Sequence, residues 1–312
     1  QLDGMFALAY HARESDRLLL LRDAFGQKPL YYARIDGDLW FASDAAPLRL
    51  AMGRSELDPR TISAWFALGA TDLATGRSLF RGVQVLPPGH RLVLSRADLA
   101  SDTLPQPQRW HQFSDQRCDD TQANASLRAS VQARLVSDVP LGAMLSGGVD
   151  SALLVSLIAE HRPLDGFNTF AVGYEHDSGD LHWARRVAGD LGVQHHEVSL
   201  QRGEYLELLD DAVRALQAPL TFGNEPALLA LCRLARDKVT VVVGGEGADE
   251  AFGGYRILFG AAAWRRRGWA LAGPCWTCTC TTRRARTAMP TRCPRTRGAR
   301  CCARWRPTWS CC

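Results

Sequence analysis

Two short stretches hold residue types that can do chemistry. Ser146-Gly147-Gly148-Val149-Asp150-Ser151 runs straight out of the apolar VPLGAML, and Gly244-Gly245-Glu246-Gly247-Ala248-Asp249-Glu250 runs out of the apolar VTVVV. Glycine loses more backbone entropy on folding than any other residue, so paired glycines are kept where a chain must turn tightly or be approached closely. At the start of a helix such a loop presents unpaired N–H groups and the positive end of the helix dipole, a setting that suits an anion, phosphate first of all. Ser146 and Ser151 add hydroxyl donors. The dipole alone supplies about 0.3–2 kcal/mol, too little to hold a polyphosphate in water, so a metal ion is expected, with Asp150 as the carboxylate that helps bind it. The spacing is neither Gly-x-x-x-x-Gly-Lys-Ser/Thr nor Gly-x-Gly-x-x-Gly. A plain strand-to-helix turn would need one glycine, not two flanked by Ser and Asp. In the second stretch Gly245 and Gly247 allow close backbone approach, while Glu246, Asp249 and Glu250 crowd three carboxylates into five residues. Charges that close repel unless a metal or a proton compensates.

The elements around these stretches give the fold class. Asp119 and Asp120 precede a helix with Leu127, Val131 and Leu135 on one face; VPLGAML is a buried strand, and a helix follows from about Asp150 to Glu160. FNTFAVG and HHEVSL are strands, separated by a helix marked by Leu181, Ala184, Val187, Ala188 and Leu191. Helices at Tyr205 to Leu216 and Pro226 to Arg236 lead to the last apolar strand. Strands alternating with helices predict an α/β unit with a parallel sheet, and ligands at the carboxyl ends of its strands. Residues 1–50 read differently, as antiparallel strands: GMFALAYHA, RLLLLRD, LYYARI and LWFAS, the last two joined at Asp36-Gly37-Asp38. LPQPQRWHQFSDQ has two prolines and little periodicity, which predicts a linker. His195 and His196 are expected to be structural or exposed.

Composition narrows the partners. From Arg265 onward there are twelve Arg and no Lys, Asp or Glu, so the preceding 264 residues carry a formal −8 although the whole chain is +4. That excludes a basic nucleic-acid-binding body. Eight of the ten cysteines also lie in the tail, leaving Cys118 and Cys232, which points to a reducing, cytoplasmic compartment rather than a disulfide framework. No apolar run approaches the ~18 residues of a membrane span. Residues 265–312 show no apolar period and are rich in Arg, Cys, Thr, Ala, Pro and Trp. They read as an out-of-frame, disordered tail; the spacing of Cys275, Cys278 and Cys280 leaves a metal-binding tail as the rival. The chain begins at Gln1, which reads as a start within a longer protein.

Ser-Gly-Gly-x-Asp-Ser is similar to the pyrophosphate loop of ATP pyrophosphatases, a group that includes GMP, NAD, argininosuccinate and asparagine synthetases. GGEGADEAFGGY, residues 244–255, resembles the Ser-Gly-Glu-Gly-Ala-Asp-Glu-x-Phe-Gly-Gly-Tyr stretch of glutamine-hydrolysing asparagine synthetases, with Gly244 in place of the usual Ser. SDVPLGAMLSGGVDSA and FAVG agree with that family, and DGMFALAY, RDAFGQKPLYY and FASD resemble the end of its glutaminase domain. The resemblance implies a remnant of an N-terminal-nucleophile glutaminase domain with its connecting region over 1–103 and a linker over 104–117. An incomplete, Rossmann-like ATP-pyrophosphatase synthetase domain over 118–264 would follow.

The resemblance also implies an ATP- and Mg²⁺-dependent carbon–nitrogen ligase. Aspartate's side-chain carboxylate would be adenylated and then amidated by ammonia from glutamine, giving asparagine, AMP and pyrophosphate. In that reading Leu145, Val172, Gly244 and Gly245 contact the nucleotide, Ser146, Gly147, Gly148 and Ser151 the phosphates, and Asp150 and Asp249 the metal and pyrophosphate. Glu246 and Asp249 serve catalysis. β-Lactam synthetases and amide-forming enzymes of surface-polysaccharide loci share the architecture and leave the acceptor open. Partners are small molecules, with no nucleic acid and no membrane; a homodimer is left open. The glutaminase needs an N-terminal cysteine, and an Arg-x-Pro-Phe segment and a later Lys belong to the family. None of these is in this sequence, so the chain as written is expected to be an inactive fragment of such an enzyme.

Overall fold

The computed structural model describes residues 2–69, 76–101, 103–113, 118–175 and 179–254. The tail read as out of frame, 265–312, and residues 114–117 of the expected linker lie outside them. The chain divides into two units, Gln1–Ala248 and Asp249–Cys312.

The first half of the larger unit is built mainly of antiparallel strands. In chain order its elements are β1 (Ala7–Ala12), β2 (Arg17–Arg22), β3 (Tyr31–Ile35), β4 (Asp38–Ala42), α1 (Ala45–Met52), α2 (Pro59–Leu68), β5 (Val83–Val85), β6 (His90–Ser95), α3 (Arg96–Ala100) and β7 (Gln108–Arg109). They form one sheet of order β1-β2-β6-β7 and a second of order β4-β3-β5. The β3–β4 hairpin turns at Asp36 and Gly37, both with positive φ (51° and 90°), as the Asp-Gly pair predicts. Leu20, Leu92 and Leu94 are fully buried under the first sheet. The segment RDAFGQKPLYY is held by its first two residues. Arg22 donates to the carbonyls of Gly26, Lys28 and Leu86 at 2.7–2.8 Å. The carboxylate of Asp23 accepts from the N–H groups of Phe25, Gln27 and Lys28 at 3.0–3.1 Å. Both side chains are buried, and these bonds repay the desolvation of two charges.

Part of the expected linker is structured. Gln108 and Arg109 add β7 to the edge of β6, and Trp110 Nε1 donates to the Arg22 carbonyl at 3.1 Å. Proline-rich sequence hides this, because a two-residue edge strand has no periodicity to read.

The second half alternates α4 (Asp120–Arg134), β8 (Leu141–Met144), α5 (Val149–Ala159), β9 (Asn168–Tyr174), α6 (Gly179–Leu191), β10 (Gln194–Leu200), α7 (Arg202–Leu216), α8 (Glu225–Arg236) and β11 (Val241–Val243). Asp119 caps α4 in a reciprocal capping box with Gln122. All pairings among these strands are parallel, in the order β10-β9-β8-β11. From β8 the chain moves to one side for β9 and β10, then returns to the other side for β11. This half is therefore the parallel α/β unit that alternation predicts, and the Rossmann-like one that the family resemblance implies, with its topological switch between β8 and β11. Val155, Ile158, Ala143, Leu145 and Ala184 fill the core on one face; Phe170, Leu231 and Ala235 fill the other. Arg49 of α1 donates to Gln217, the left-handed cap of α7, at 2.9 Å.

The two histidines are structural, as expected. His195 Nδ1 lies 2.9 Å from Thr169 Oγ1, and His196 Nε2 lies 2.8 Å from Asn168 Oδ1 with its ring stacked on Phe170. Burial lowers both imidazole pKa values; Glu197 opposes the shift at His195, and Lys238 adds to it at His196. The unfolded chain then binds more protons just below the ordinary value of about 6.5. The contribution to stability is present above that pH and is lost as pH falls through the lowered folded values. The thermal unfolding midpoint should drop as pH falls below about 6.5, and a His195→Asn, His196→Asn double variant should flatten that drop; an equal drop in both proteins would refute it.

Candidate functional site

The loop after β8 closes on itself. Ser151 Oγ accepts from the Ser146 N–H at 3.2 Å, lies 3.1 Å from Ser146 Oγ, and donates to the Gly148 carbonyl at 3.1 Å. The Gly148 N–H points at Ser146 Oγ at 3.4 Å. Ser151 is 6% exposed, so its hydroxyl shapes the loop, while Ser146 stays at the surface. The helical ladder begins with the Ala152 N–H donating to the Gly148 carbonyl. The N–H groups of Val149, Asp150 and Ser151 in the first turn therefore have no helical acceptor. Asp150, exposed, sits in that same turn.

The two glycines do different work. Gly147 has φ 81°, and a Cβ there would run into the Asp180 carbonyl, the Ala184 nitrogen at 2.9 Å and the Trp183 Cβ at 3.0 Å. Its neighbour is protein: the first turn of α6. Gly148 would meet only Ser146 Oγ, at 3.4 Å, so the space at Gly148 is the space left open to a ligand.

The second glycine stretch arrives at the same place. β11 pairs with β8 in register, Val243 beside Ala143, which brings Gly244 next to Met144 and Gly245 onto the helix start. A Cβ on Gly245 would lie 3.5 Å from Asp150 Cβ and 3.6 Å from the Ser151 nitrogen. Glu246 is exposed at the rim, its Cγ 3.7 Å from the Cβ position of Gly244. Val172 is half-buried near the carboxyl end of β9, in the apolar group with Phe170, Met144 and Val242.

Leu145 is in this neighbourhood only through its backbone. Its side chain is fully buried and its N–H donates to the Phe170 carbonyl at 2.9 Å, so only its carbonyl is available to a ligand. Strand alternation then turns Met144 to the opposite face, between Val172 and Gly244. Met144 was not among the expected site residues, although the two-residue period of β8 would have found it. Asp249 belongs to the second unit, in the short helix α9 (Ala248–Phe252). There its carbonyl accepts from the N–H groups of Gly253 and Gly254 at 2.8 and 3.0 Å, and a Cβ on Gly254 would collide with its carboxylate.

The site thus gathers Leu145, Ser146, Gly147, Gly148, Asp150, Ser151, Gly244, Gly245 and Glu246 around one helix N-terminus, with Val172 in the adjoining apolar group. Among the described residues no group of three or more His, Cys, Asp or Glu is placed to hold a metal. Magnesium binds through one or two carboxylates plus phosphate oxygens and water, a demand the exposed Asp150 beside open N–H groups fits. Among the described residues no helix is long and apolar enough to cross a membrane.

The sequence is similar to known proteins. The sequence profile of the asparagine synthase family matches residues 122–309, and that of a glutamine amidotransferase domain matches 1–105. The chain is 30% identical over 259 residues to asparagine synthetase [glutamine-hydrolyzing] 1 of Bacillus subtilis, covering 82% of this chain and 40% of that protein. It is also 30% identical over 281 residues to the amidase chyE of Penicillium rubens, covering 81% of this chain and 40% of that protein. Thus the chain spans about two fifths of the length of these curated relatives. A glutamine-dependent NAD⁺ synthetase from Acinetobacter baumannii in complex with ADP superposes with a TM-score of 0.34 at 11% identity, covering 80% of this chain and 61% of its own. A likeness that loose carries no weight beside the family match. With one profile covering the α/β half and the other the antiparallel half, the chain belongs to the asparagine synthase family.

Proposed function

We propose that this chain carries the nucleotide site of an ATP-dependent, glutamine-hydrolysing amidotransferase that converts aspartate to asparagine. The observation that carries the reading is the first turn of α5, with N–H groups that lack helical acceptors beside the exposed Asp150, under the backbone of Gly245. The triphosphate of ATP lies over Gly148 and that turn, and Ser146 donates from the loop. The adenine lies toward Val172 and Met144, with the backbone of Leu145 and Gly244 alongside. Asp150 would hold a magnesium ion bound with the nucleotide, and Asp249 is the second carboxylate that the family resemblance assigns to it; the ion would neutralise phosphate charge. An oxygen of the aspartate side-chain carboxylate attacks the α-phosphorus, and the bond to pyrophosphate breaks. Ammonia then attacks the acyl carbon, AMP leaves, and Glu246 takes the proton that the new amide nitrogen sheds. Oriented N–H donors of this kind stabilise charge without reorganising during the reaction. The ammonia comes from glutamine through the amidotransferase domain of which 1–105 is part.

A second reading keeps adenylation and changes the acceptor. It is favoured by the equal identity to a relative named an amidase rather than an asparagine synthetase.

Pyrophosphate–ATP exchange and Mg²⁺·ATP binding test the reading. Mg²⁺·ATP should bind the chain, Asp150→Asn should weaken binding about tenfold, and chelation of Mg²⁺ should do the same to the unaltered chain, a tenfold change being about 1.4 kcal/mol. Aspartate-dependent exchange in the full-length protein would favour asparagine formation; exchange with another carboxylate alone would favour the second reading. The glycines should separate as well. Gly147→Ala should abolish binding, because its Cβ meets backbone, whereas Gly148→Ala should fold normally and lose affinity only through the ligand. Equal stability of the two variants by urea unfolding would refute the assignment of Gly147 to packing.

A further inference from the structure

The contact between Gly147 and α6 makes the setting of that helix part of the phosphate loop. Leu181, Ala184 and Ala188 seat α6 in the core. Val187 and Leu191 of the same helix, partly buried, pack against that core as well. A directional restraint is supplied one residue beyond Ala184. Arg185 grips Glu197 of β10 in a fork, Nε at 3.0 and 2.8 Å from the two carboxylate oxygens and Nη2 at 2.7 Å from the second. A mostly buried histidine lies beside Glu197 without hydrogen-bonding to it. His195, two residues earlier on the same face of β10, has a side chain only 10% exposed, with Nε2 3.1 Å from Glu197 Oε1 and Nδ1 tied to Thr169 of β9. Beside this group an open surface groove is lined also by Ala188, Gly189 and Val193. The fork thus bridges α6 and β10 at the protein surface, with the Arg185 side chain 63% exposed and that of Glu197 19% exposed.

We infer that Arg185 and Glu197 are positioning residues for the phosphate loop: their forked ion pair sets α6 along its axis, and the first turn of α6 sets Gly147. The inference rests on the reading of that loop as the nucleotide site. Neither residue touches the ligand; both act through the backbone of Asp180 and Ala184. A fork carries geometry as well as charge, which a lysine cannot reproduce.

Equilibrium titration of the full chain with Mg²⁺·ATP, paired with thermal unfolding, tests this. Glu197→Gln and Arg185→Leu should each weaken binding about tenfold, or about 1.4 kcal/mol, while Arg185→Lys falls between them and the unaltered chain. The charge-exchanged double variant, Arg185→Glu with Glu197→Arg, should recover most of the loss. Arg233→Gln removes an ion pair to Asp211 between α8 and α7 and should bind as the unaltered chain does. Unchanged affinity in the Arg185 and Glu197 variants, or an equal loss in Arg233→Gln, overturns the inference alone. Should a single variant fail to fold, Arg185→Lys and the double variant decide: unaltered affinity in the first or no recovery in the second overturns it. No binding by the unaltered chain overturns the functional reading, and this inference with it.

Discussion

The site rests on a squeeze between neighbours in the parallel sheet. Gly147 bends with φ 81° directly under the first turn of α6, and Gly245 lies against the first turn of α5 from the other side. A side chain at Gly147 would push the loop away from α6, whereas a Cβ on Gly245 would meet α5 at ordinary contact distance. The sheet order makes the squeeze necessary. Because the chain leaves β8 for β9 on one side and returns as β11 on the other, two loops meet at the carboxyl end of β8, where a crevice opens in any sheet of this kind.

Within the crevice, polar groups divide into those that build and those that are offered. The Ser146 and Ser151 hydroxyls close a ring with the backbone of Ser146 and Gly148, which holds the loop in one shape before any ligand arrives. The first-turn N–H groups, left over by helix geometry, remain for an anion. Preorganisation of this kind lowers the ordering cost of binding. Leu145 anchors the arrangement from beneath by filling the core, and Met144 faces the other way toward Val172.

The antiparallel half is organised by a different economy. Arg22 and Asp23, buried side by side, are satisfied almost wholly by backbone carbonyls and N–H groups of the segment that follows them. That segment becomes a fixed loop without needing regular structure. β7 and Trp110 extend this half into the stretch that composition marks as a linker, and the Arg49–Gln217 bond ties it to the end of α7.

The α/β alternation, the parallel sheet, the Asp-Gly hairpin and the placing of both glycine stretches at strand ends are legible in the sequence alone. Each follows from local rules of period, capping and turn chemistry that act within a dozen residues. The sequence also marked Ser146, Gly147, Gly148 and Ser151 as candidates for phosphate and Asp150 and Asp249 for metal. Tertiary structure supplied the packing of Gly147 against α6, the burial of the Leu145 side chain in the core, and the bonds of the Ser151 hydroxyl within the loop. It likewise brought Met144 into the crevice and Arg185 onto Glu197. These outcomes depend on which strands become neighbours and in what register, and pairing between residues a hundred positions apart, as between β8 and β11, leaves no trace in local sequence.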